Sequence, residues 1–134
     1  MITLSKAKKA LEASEKKAEE LGIAVSIVVV DNQGSIIAAS RMDNAIPISP
    51  RFALSKAYTS ANLAFPSGDL AKYASVGKPY FGINTLFGGE LDLLAGGIPV
   101  KMDGKIVGAI GVGGSTDTSQ DEECAKAGAA VLEG

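Results

Sequence analysis

Four polar side chains in the first half of the chain stand at spacings that could hold an acidic ligand. Arg41 and Asp43 are two residues apart after an apolar segment, so on a strand they would point to the same side. Asp43 could present Arg41 to a ligand, or the pair could only fix the following loop. Lys56 and Thr59 lie about one helical turn apart. They could line a pocket or belong to a closely packed helix face.

Two glycine pairs complete the predicted ligand site. Gly96 with Gly97 and Gly113 with Gly114 have no Cβ, which would let a ligand approach the backbone. The glycine run 108–114 does not fit G-x-G-x-x-G, and no Gly-Lys-Ser/Thr follows it, which argues against a nucleotide-phosphate loop. The segment 113–117 leads into a predicted helix, whose N-terminus could hold an anion or could simply be capped.

Histidine is absent from the chain, which excludes Ser-His-Asp and Cys-His nucleophiles and histidine-ligated zinc or iron. The single cysteine, Cys124, lies among alanines in a predicted helix, a setting that favours a buried and unreactive thiol. Glu90 and Asp92 are a carboxylate pair that could do acid–base chemistry, although solvated loop charges are commoner. We therefore predict no catalytic residue and no metal ligand.

The composition predicts one globular domain over residues 1–134. The formal net charge is −2, and the lysines near the N-terminus alternate with glutamates. Since nucleic-acid binders usually carry a basic patch, we expect no nucleic-acid partner. No apolar run approaches the roughly 20 residues of a membrane span, and no signal peptide is visible. These features predict a cytoplasmic protein without a membrane partner.

The elements that must position these residues alternate between helices and hairpins. Apolar residues at helical spacing and runs rich in Val and Ile give the order helix, hairpin, helices, hairpin, helix. Residues 76–92 are predicted to be irregular, with a short strand near 83–87. The predicted helices span 4–21, 51–63, 67–75 and 119–132, and the predicted antiparallel hairpins pair 24–31 with 35–42 and 97–102 with 105–112.

Capping residues mark most of these helix ends. Thr3 or Ser5 is predicted to cap the first helix, and Gly22 to end it. Ser49 is predicted to cap the second helix, with Pro50 at its first position. The segment 119–122 matches a capping box at the start of the last helix.

Six segments, taken in chain order, form a recognisable set. They are Val28-Val29-Val30-Asp31 with Gly34, Arg41-Met42-Asp43 with Ala45, Lys56-Ala57 with Thr59-Ser60-Ala61, Gly96-Gly97-Ile98-Pro99-Val100, the run from Ile106 to Gly114, and Asp121 with Cys124-Ala125. The ordered set resembles the GlcG/HbpS family of haem-binding-protein-like domains, which also form the C-terminal part of PduO-type cobalamin adenosyltransferases. The resemblance implies a profilin/roadblock-like α/β (α+β) fold, with a five-stranded antiparallel sheet and helices on both faces.

The resemblance also implies homo-oligomers, and haem or corrinoid binding in some members. Haem and cobalamin are therefore the cofactors to consider, although the residues alone identify neither. Because the chain has no histidine, an axial haem ligand would have to be a methionine, a cysteine, a tyrosine, a lysine or a threonine hydroxyl. The methionines and the cysteine concerned are Met42, Met102 and Cys124.

Three hypotheses follow for the function. The leading one is a non-catalytic domain with a pocket between the second helix and the sheet, where Arg41, Lys56 and Thr59 would contact the acidic groups of a small ligand. The second is a purely structural assembly subunit, whose glycines serve packing between subunits. The third is an enzyme of unknown type that uses carboxylates or Lys56.

Assembly is predicted on separate grounds. The chain is rich in alanine and glycine, has few large aromatics, and is expected to have an edge strand that contains Pro99. Such surfaces allow close approach of backbones, and we predict a homo-oligomer built from symmetric dimers. The family resemblance suggests an octamer.

Overall fold

A computed structural model describes all 134 residues of the chain. A single four-stranded sheet lies between two helices on one face and one helix on the other. Two 3-10 turns, Ser67–Leu70 and Ile83–Gly88, flank a short helix in the long connection between the hairpins. The elements are α1 Leu4–Leu21, β1 Ser26–Asp31, β2 Ile36–Arg41, α2 Ser49–Leu63, α3 Ala71–Ala74, β3 Gly97–Met102, β4 Lys105–Gly113 and α4 Thr118–Glu133.

The sheet has the order β2-β1-β4-β3, and every neighbouring pair is antiparallel. Both predicted hairpins are confirmed, and β3 lies at an edge as Pro99 indicated, since proline cannot donate to a second neighbour. The expectation of five strands is wrong, because the sheet contains four. The predicted short strand near 83–87 is also wrong. That stretch begins as a 3-10 turn and kinks at Leu86 and Phe87, whose backbone angles are not helical, and it is bounded by Gly82 and Gly89 at a φ of 84°.

Strand β1 is buried on both faces of the sheet. Ile27 and Val29 point into the larger core, which α1 and α4 cover, while Val28 and Val30 point toward α2. This double burial explains why the segment is a continuous apolar run and not an alternating one. The α/β architecture with helices on both faces agrees with the sequence expectation.

Helix α2 approaches the sheet closely because glycines and alanines meet there. A Cβ added at Gly111 would collide with the carbonyl oxygen of Ala53, and one at Gly113 would lie 2.6 Å from Cβ of Phe52. The helix meets these glycines with the small residues Ala53 and Ala57, which are fully buried. The glycines of β4 thus weaken the strand in isolation but allow backbone-to-backbone packing in the fold.

Two of the predicted caps are confirmed and two are wrong. Thr3 caps α1 by accepting a hydrogen bond from Lys6 N at 3.1 Å, and Gly22 ends it at a φ of 72°. Ser49 lies inside α2 and uses its hydroxyl to contact the hydroxyl of Ser26 on β1 at 2.8 Å. Asp117, not Ser119, caps α4. A tertiary contact therefore engages Ser49, which was predicted to cap α2. The carboxylate of Asp117 takes the capping position that was predicted for Ser119.

None of the helices combines the length and the apolar character that crossing a bilayer requires.

The close packing of α2 on β4 predicts the effect of adding one methyl group. Gly111→Ala should lower the free energy of unfolding by about 3 kcal/mol, because α2 must move away from the sheet to admit the Cβ. Urea denaturation measures the change.

Gly104→Ala is the matched control. Gly104 has a φ of 76° with no atom near the position of an added Cβ, so its replacement should cost only the strain of that conformation, about 1 kcal/mol. Equal costs at the two positions would show that the contact of α2 with β4 is not tight.

Candidate functional site

Lys56 lies inside the protein and not in an open pocket. Its side chain is 2% exposed. The ammonium donates to the backbone oxygen of Val112 at 3.0 Å and to Oδ2 of Asp121 at 3.1 Å. Asp121 is itself fully buried, and its other oxygen accepts a hydrogen bond from Ser115 N at 3.1 Å. One buried ion pair therefore joins α2, the end of β4 and the first turn of α4.

The surroundings of this pair set its electrostatics. Burial raises the pKa of the Asp121 carboxyl, while the adjacent Lys56 ammonium and the Ser115 hydrogen bond oppose the rise.

The predicted glycines make room for the lysine. A Cβ added at Gly96 would lie 2.8 Å from Cδ of Lys56, and one at Gly97 would collide with the carbonyl oxygen of Lys56. These glycines contact the lysine of their own chain.

Thr59 and the second glycine pair are also engaged within the chain. The Thr59 hydroxyl donates to Ser55 O at 2.8 Å and accepts from Asp92 N at 2.9 Å, which ties α2 to the segment before β3. Gly113 packs against α2, and a Cβ added at Gly114 would lie 2.9 Å from the carbonyl oxygen of Ala24. Ligand contact through Lys56, Thr59 and the four glycines stays a prediction.

Arg41 and Asp43 are brought together at a different place, on the surface. They line a cavity of about 470 Å³ with Met42 and Asn44. The two side chains form no ion pair. Instead the Arg41 guanidinium donates to the carbonyl oxygen of Ala45 at 3.1 Å and fixes the loop after β2. These two sequence-predicted site residues therefore border a cavity that a ligand could enter.

A second cleft, lined by charged, polar and apolar side chains, lies on the outer face of α2. It encloses about 520 Å³ between that face, the turn at Gly34 and the segment Gly88–Glu90. Arg51, Ser55 and Tyr58 point into it because they are four and then three residues apart, which places them on one side of a helix. The ring of Tyr58 lies over Gly34, where an added Cβ would be 2.5 Å from Cδ1 of the ring.

We refer to this cavity as the α2 cleft. Arg51 is exposed and takes part in no ion pair, so its charge is free for a ligand. Glu90 faces the Tyr58 hydroxyl, and the hydrogen bond to its carboxylate raises the pKa of that phenol, with burial adding to the rise. Phe52 adds an aromatic wall. The cleft thus combines a cation, a phenol and an apolar surface.

Sequence reasoning missed the α2 cleft, because its two sides come from segments far apart in the chain. Arg51 and Tyr58 at a spacing of seven could have indicated a shared helix face. Glu90 was considered only as a partner of Asp92, but the structure separates their roles. Asp92 accepts hydrogen bonds from Ser55 Oγ at 2.6 Å and Leu94 N at 2.8 Å, and so shapes the loop.

Cys124 is fully buried in α4, and burial, aided by the nearby Asp121, raises the pKa of its thiol to about 11. The thiol is therefore protonated at neutral pH, in agreement with an unreactive residue.

The buried ion pair predicts a large cost for removing its cation. Lys56→Met should lower the free energy of unfolding by about 3–5 kcal/mol, because Asp121 keeps its buried position without a counter-charge. The exposed pair Lys126–Glu122, at 3.6 Å, provides the control, since Lys126→Met should cost no more than about 0.5 kcal/mol.

The pH dependence adds a second readout. Without Lys56, only the Ser115 hydrogen bond opposes the effect of burial on Asp121, so the pKa of this carboxyl lies further above the unfolded value. The folded state then binds the proton more tightly, so the Lys56→Met deficit should shrink as the pH falls through the folded-state pKa toward the unfolded one. The role assigned to the pair would be contradicted if Lys56→Met lost no more unfolding free energy than Lys126→Met, or if its loss grew as the pH falls.

Proteins of similar sequence come from several enterobacteria. An uncharacterized 15.0 kDa protein of the Citrobacter freundii dhaT-dhaS intergenic region is 36% identical over 115 residues, 86% of this chain and 81% of the relative. Protein GlcG of Escherichia coli is 36% identical over 102 residues, 76% of this chain and 73% of GlcG. Corrinoid adenosyltransferase PduO of Salmonella typhimurium is 25% identical over 120 residues, 90% of this chain, which correspond to 35% of PduO.

Solved structures share the fold. Protein ORFY of Klebsiella pneumoniae superposes with a TM-score of 0.94 at 30% identity, over 98% of this chain and 90% of ORFY. A double mutant of HbpS from Streptomyces reticuli gives 0.91 at 36% identity, over all of this chain and 88% of HbpS. A PduOC:heme complex gives 0.93 at 23% identity, over 98% and 95%, a likeness of fold alone.

A family model described as "Haem degrading protein HbpS-like" matches residues 2–130, almost the whole chain. Together with the relatives above, this match confirms the resemblance inferred from the ordered motifs. The chain belongs to the HbpS-like family.

Proposed function

We propose that this protein binds haem or a similar tetrapyrrole in the α2 cleft. The observation that carries the proposal is the combination of an unpaired cation, Arg51, with aromatic walls in one cavity of suitable size. The description of the family supplies the ligand class. A corrinoid is the alternative tetrapyrrole, and the relationship to PduO is what supports it.

The dimensions and lining of the cleft suit such a ligand. Its volume of about 520 Å³ falls within the roughly 300–1,000 Å³ of small-molecule sites. Ile48 and Phe52 provide apolar contact for a flat macrocycle. Gly88 and Gly89 carry no side chains on the opposite side, so the macrocycle can approach the backbone there.

The charges of the cleft suit the carboxylates of the ligand. Arg51 is exposed, and a guanidinium can hold a carboxylate through two parallel hydrogen bonds. A haem iron needs an axial ligand as well, and the absence of histidine restricts the choice to other side chains. Tyr58 lies in the cleft and is of a type that binds haem iron. The residues present therefore fit the group.

Haemin titration tests the proposal. The wild-type protein should give a Soret band that saturates at one equivalent per chain, and Arg51→Ala should weaken binding about tenfold through loss of one charge-assisted contact. Arg41→Ala is the matched control, because Arg41 lies at the separate surface cavity.

The two variants also discriminate between sites. If Arg41→Ala weakens binding and Arg51→Ala does not, the ligand occupies the separate cavity that Arg41 lines with Met42. Absorbance that rises without saturation, with haemin and with cobalamin alike, would refute tetrapyrrole binding.

Self-association is the second proposal, and a specific surface favours it. Seven of the twelve large hydrophobic side chains that are exposed lie between Tyr73 and Leu94, including Phe81 at 64% and Phe87 at 72% exposure. Residues 76–89 contain a single charge, that of Lys78. A surface this apolar is rare on a monomer, and a second copy of the chain is the partner that we propose for it.

Light scattering measures the outcome directly. The wild-type protein should have a mass of at least twice 13.6 kDa, and the double substitution Phe81→Ser with Phe87→Ser should shift it toward the monomer. Leu4→Ser, which replaces an equally apolar side chain that is 52% exposed on α1, should leave the mass unchanged. A monomeric wild-type protein would overturn this proposal without affecting the proposal for the cleft.

A further inference from the structure

The positions of the candidate side chains narrow the choice of an axial ligand for a bound haem. Met42 borders the separate cavity beside Arg41. Cys124 is fully buried in α4. Tyr73 and Tyr80 line a small aromatic cavity of about 290 Å³ with Phe65. Of the side chains capable of binding iron, Tyr58 is the tyrosine that the α2 cleft presents.

Tyr58 lies in the α2 cleft with Gly34 and Glu90. Gly34 lies directly under the ring, at a distance that leaves no room for a Cβ. Glu90 lines the same cleft as Tyr58, and its carboxylate raises the pKa of the phenol. The phenol therefore points into the cleft beside a group that can accept its proton.

We propose that Tyr58 Oη is the axial ligand of ferric haem in the α2 cleft, and that Glu90 is the acceptor of the phenol proton. The inference rests on the proposed function and goes beyond it by assigning the iron ligand. Tyr58 touches the cofactor, whereas Glu90 is a positioning residue that acts through the phenol.

The step balances in protons and electrons. The O–H bond of Tyr58 breaks, its proton passes to the Glu90 carboxylate, and the phenolate oxygen forms a bond to the ferric ion. Nothing is oxidised or reduced. Glu90 is exposed, so it can pass the proton to solvent.

The charged groups next to the Tyr58 phenol differ between the ligand-free protein and the haem-loaded protein. Without haem, the side-chain hydrogen bond to Glu90, burial and the charge of Glu90 raise the pKa of Tyr58 and keep the proton on the hydroxyl. A bound metal cation reverses this preference, because it stabilises the anion more than the nearby carboxylate destabilises it. Phenolate is a hard anionic donor, so it should favour ferric over ferrous iron.

Arg51 and Tyr58 would then act as two separate anchors. Seven residues on a helix correspond to about 10 Å along its axis, so the guanidinium and the phenol can engage different parts of one ligand. The guanidinium contacts the peripheral carboxylates, and the phenol contacts the central iron.

Absorption spectra of the haemin-loaded full-length chain test the assignment. The wild-type protein should show a phenolate-to-iron charge-transfer band, and resonance Raman spectroscopy should show phenolate modes. Tyr58→Phe should lose both signatures and bind haemin at least tenfold more weakly. Tyr73→Phe is the matched control, since it removes the same hydroxyl outside the cleft and should leave the spectrum and the affinity unchanged.

Glu90→Gln adds a readout that a merely structural role would not change. Replacement of an exposed side chain should preserve the fold, while the affinity for haemin becomes more dependent on pH, because solvent must then take the phenol proton directly. Chemical reduction of the iron should weaken the wild-type complex and have little effect on any residual complex of Tyr58→Phe.

The outcomes separate this inference from the proposed function. A wild-type protein that binds haemin at one equivalent without phenolate modes, or a Tyr58→Phe protein with an unchanged spectrum, overturns the assignment of Tyr58 and leaves haem binding in place. A wild-type protein without a saturable Soret band removes both. The Raman measurement needs no substitution, so it decides the assignment even if Tyr58→Phe does not fold.

Discussion

The buried ion pair between Lys56 and Asp121 is the constraint on which the arrangement of the protein depends. Both groups are removed from water, and burial of two charges is costly unless each finds its hydrogen-bond partners. Here Lys56 also bonds to the Val112 carbonyl, and Asp121 also bonds to the Ser115 amide. Those partners belong to different elements, so the pair can be satisfied only when α2, β4 and α4 occupy their native positions. The ion pair therefore requires one arrangement of these three elements, in addition to its contribution to the free energy of folding.

The same condition explains the small residues around the pair. A lysine stem can lie flat between α2 and the sheet only where the strands carry no side chains, and Gly96 and Gly97 provide that space. Further along the interface, Gly111 meets Ala53 and Ala57 at close range. Close packing brings the backbones of α2 and the sheet into direct contact there. The α2 cleft lies on the outer face of the helix, where polar and aromatic side chains meet Gly34 and the segment Gly88–Glu90.

The two faces of α2 differ in their contacts. The inner face packs against the sheet, and the outer face lines the α2 cleft. The inner face is held by the ion pair and by Thr59, whose hydroxyl also bonds to Asp92 N and positions the segment that follows Glu90. Glu90 thus reaches the Tyr58 hydroxyl from a loop whose end is attached to the same helix. Binding groups held in this way lose little freedom when a ligand arrives. The adjoining apolar stretch, with Phe81 and Phe87 exposed, brings the cleft close to the surface that we propose for self-association.

Residue types and near neighbours along the chain were enough to predict most of the local structure and the classes of site that are excluded. Alternation and turn residues identified both hairpins, Thr3 and Gly22 marked the ends of α1, and the absence of histidine removed whole classes of site, because each of these properties depends on residue type and near neighbours. Ordered motifs identified the family. Only the tertiary structure decided that Lys56 faces inward to a carboxylate 65 residues away, that Ser49 bonds to Ser26 and does not cap a helix, and that Tyr58 meets Glu90. Partners so distant in the chain come together only through packing, and packing depends on the whole set of side chains and not on any local pattern.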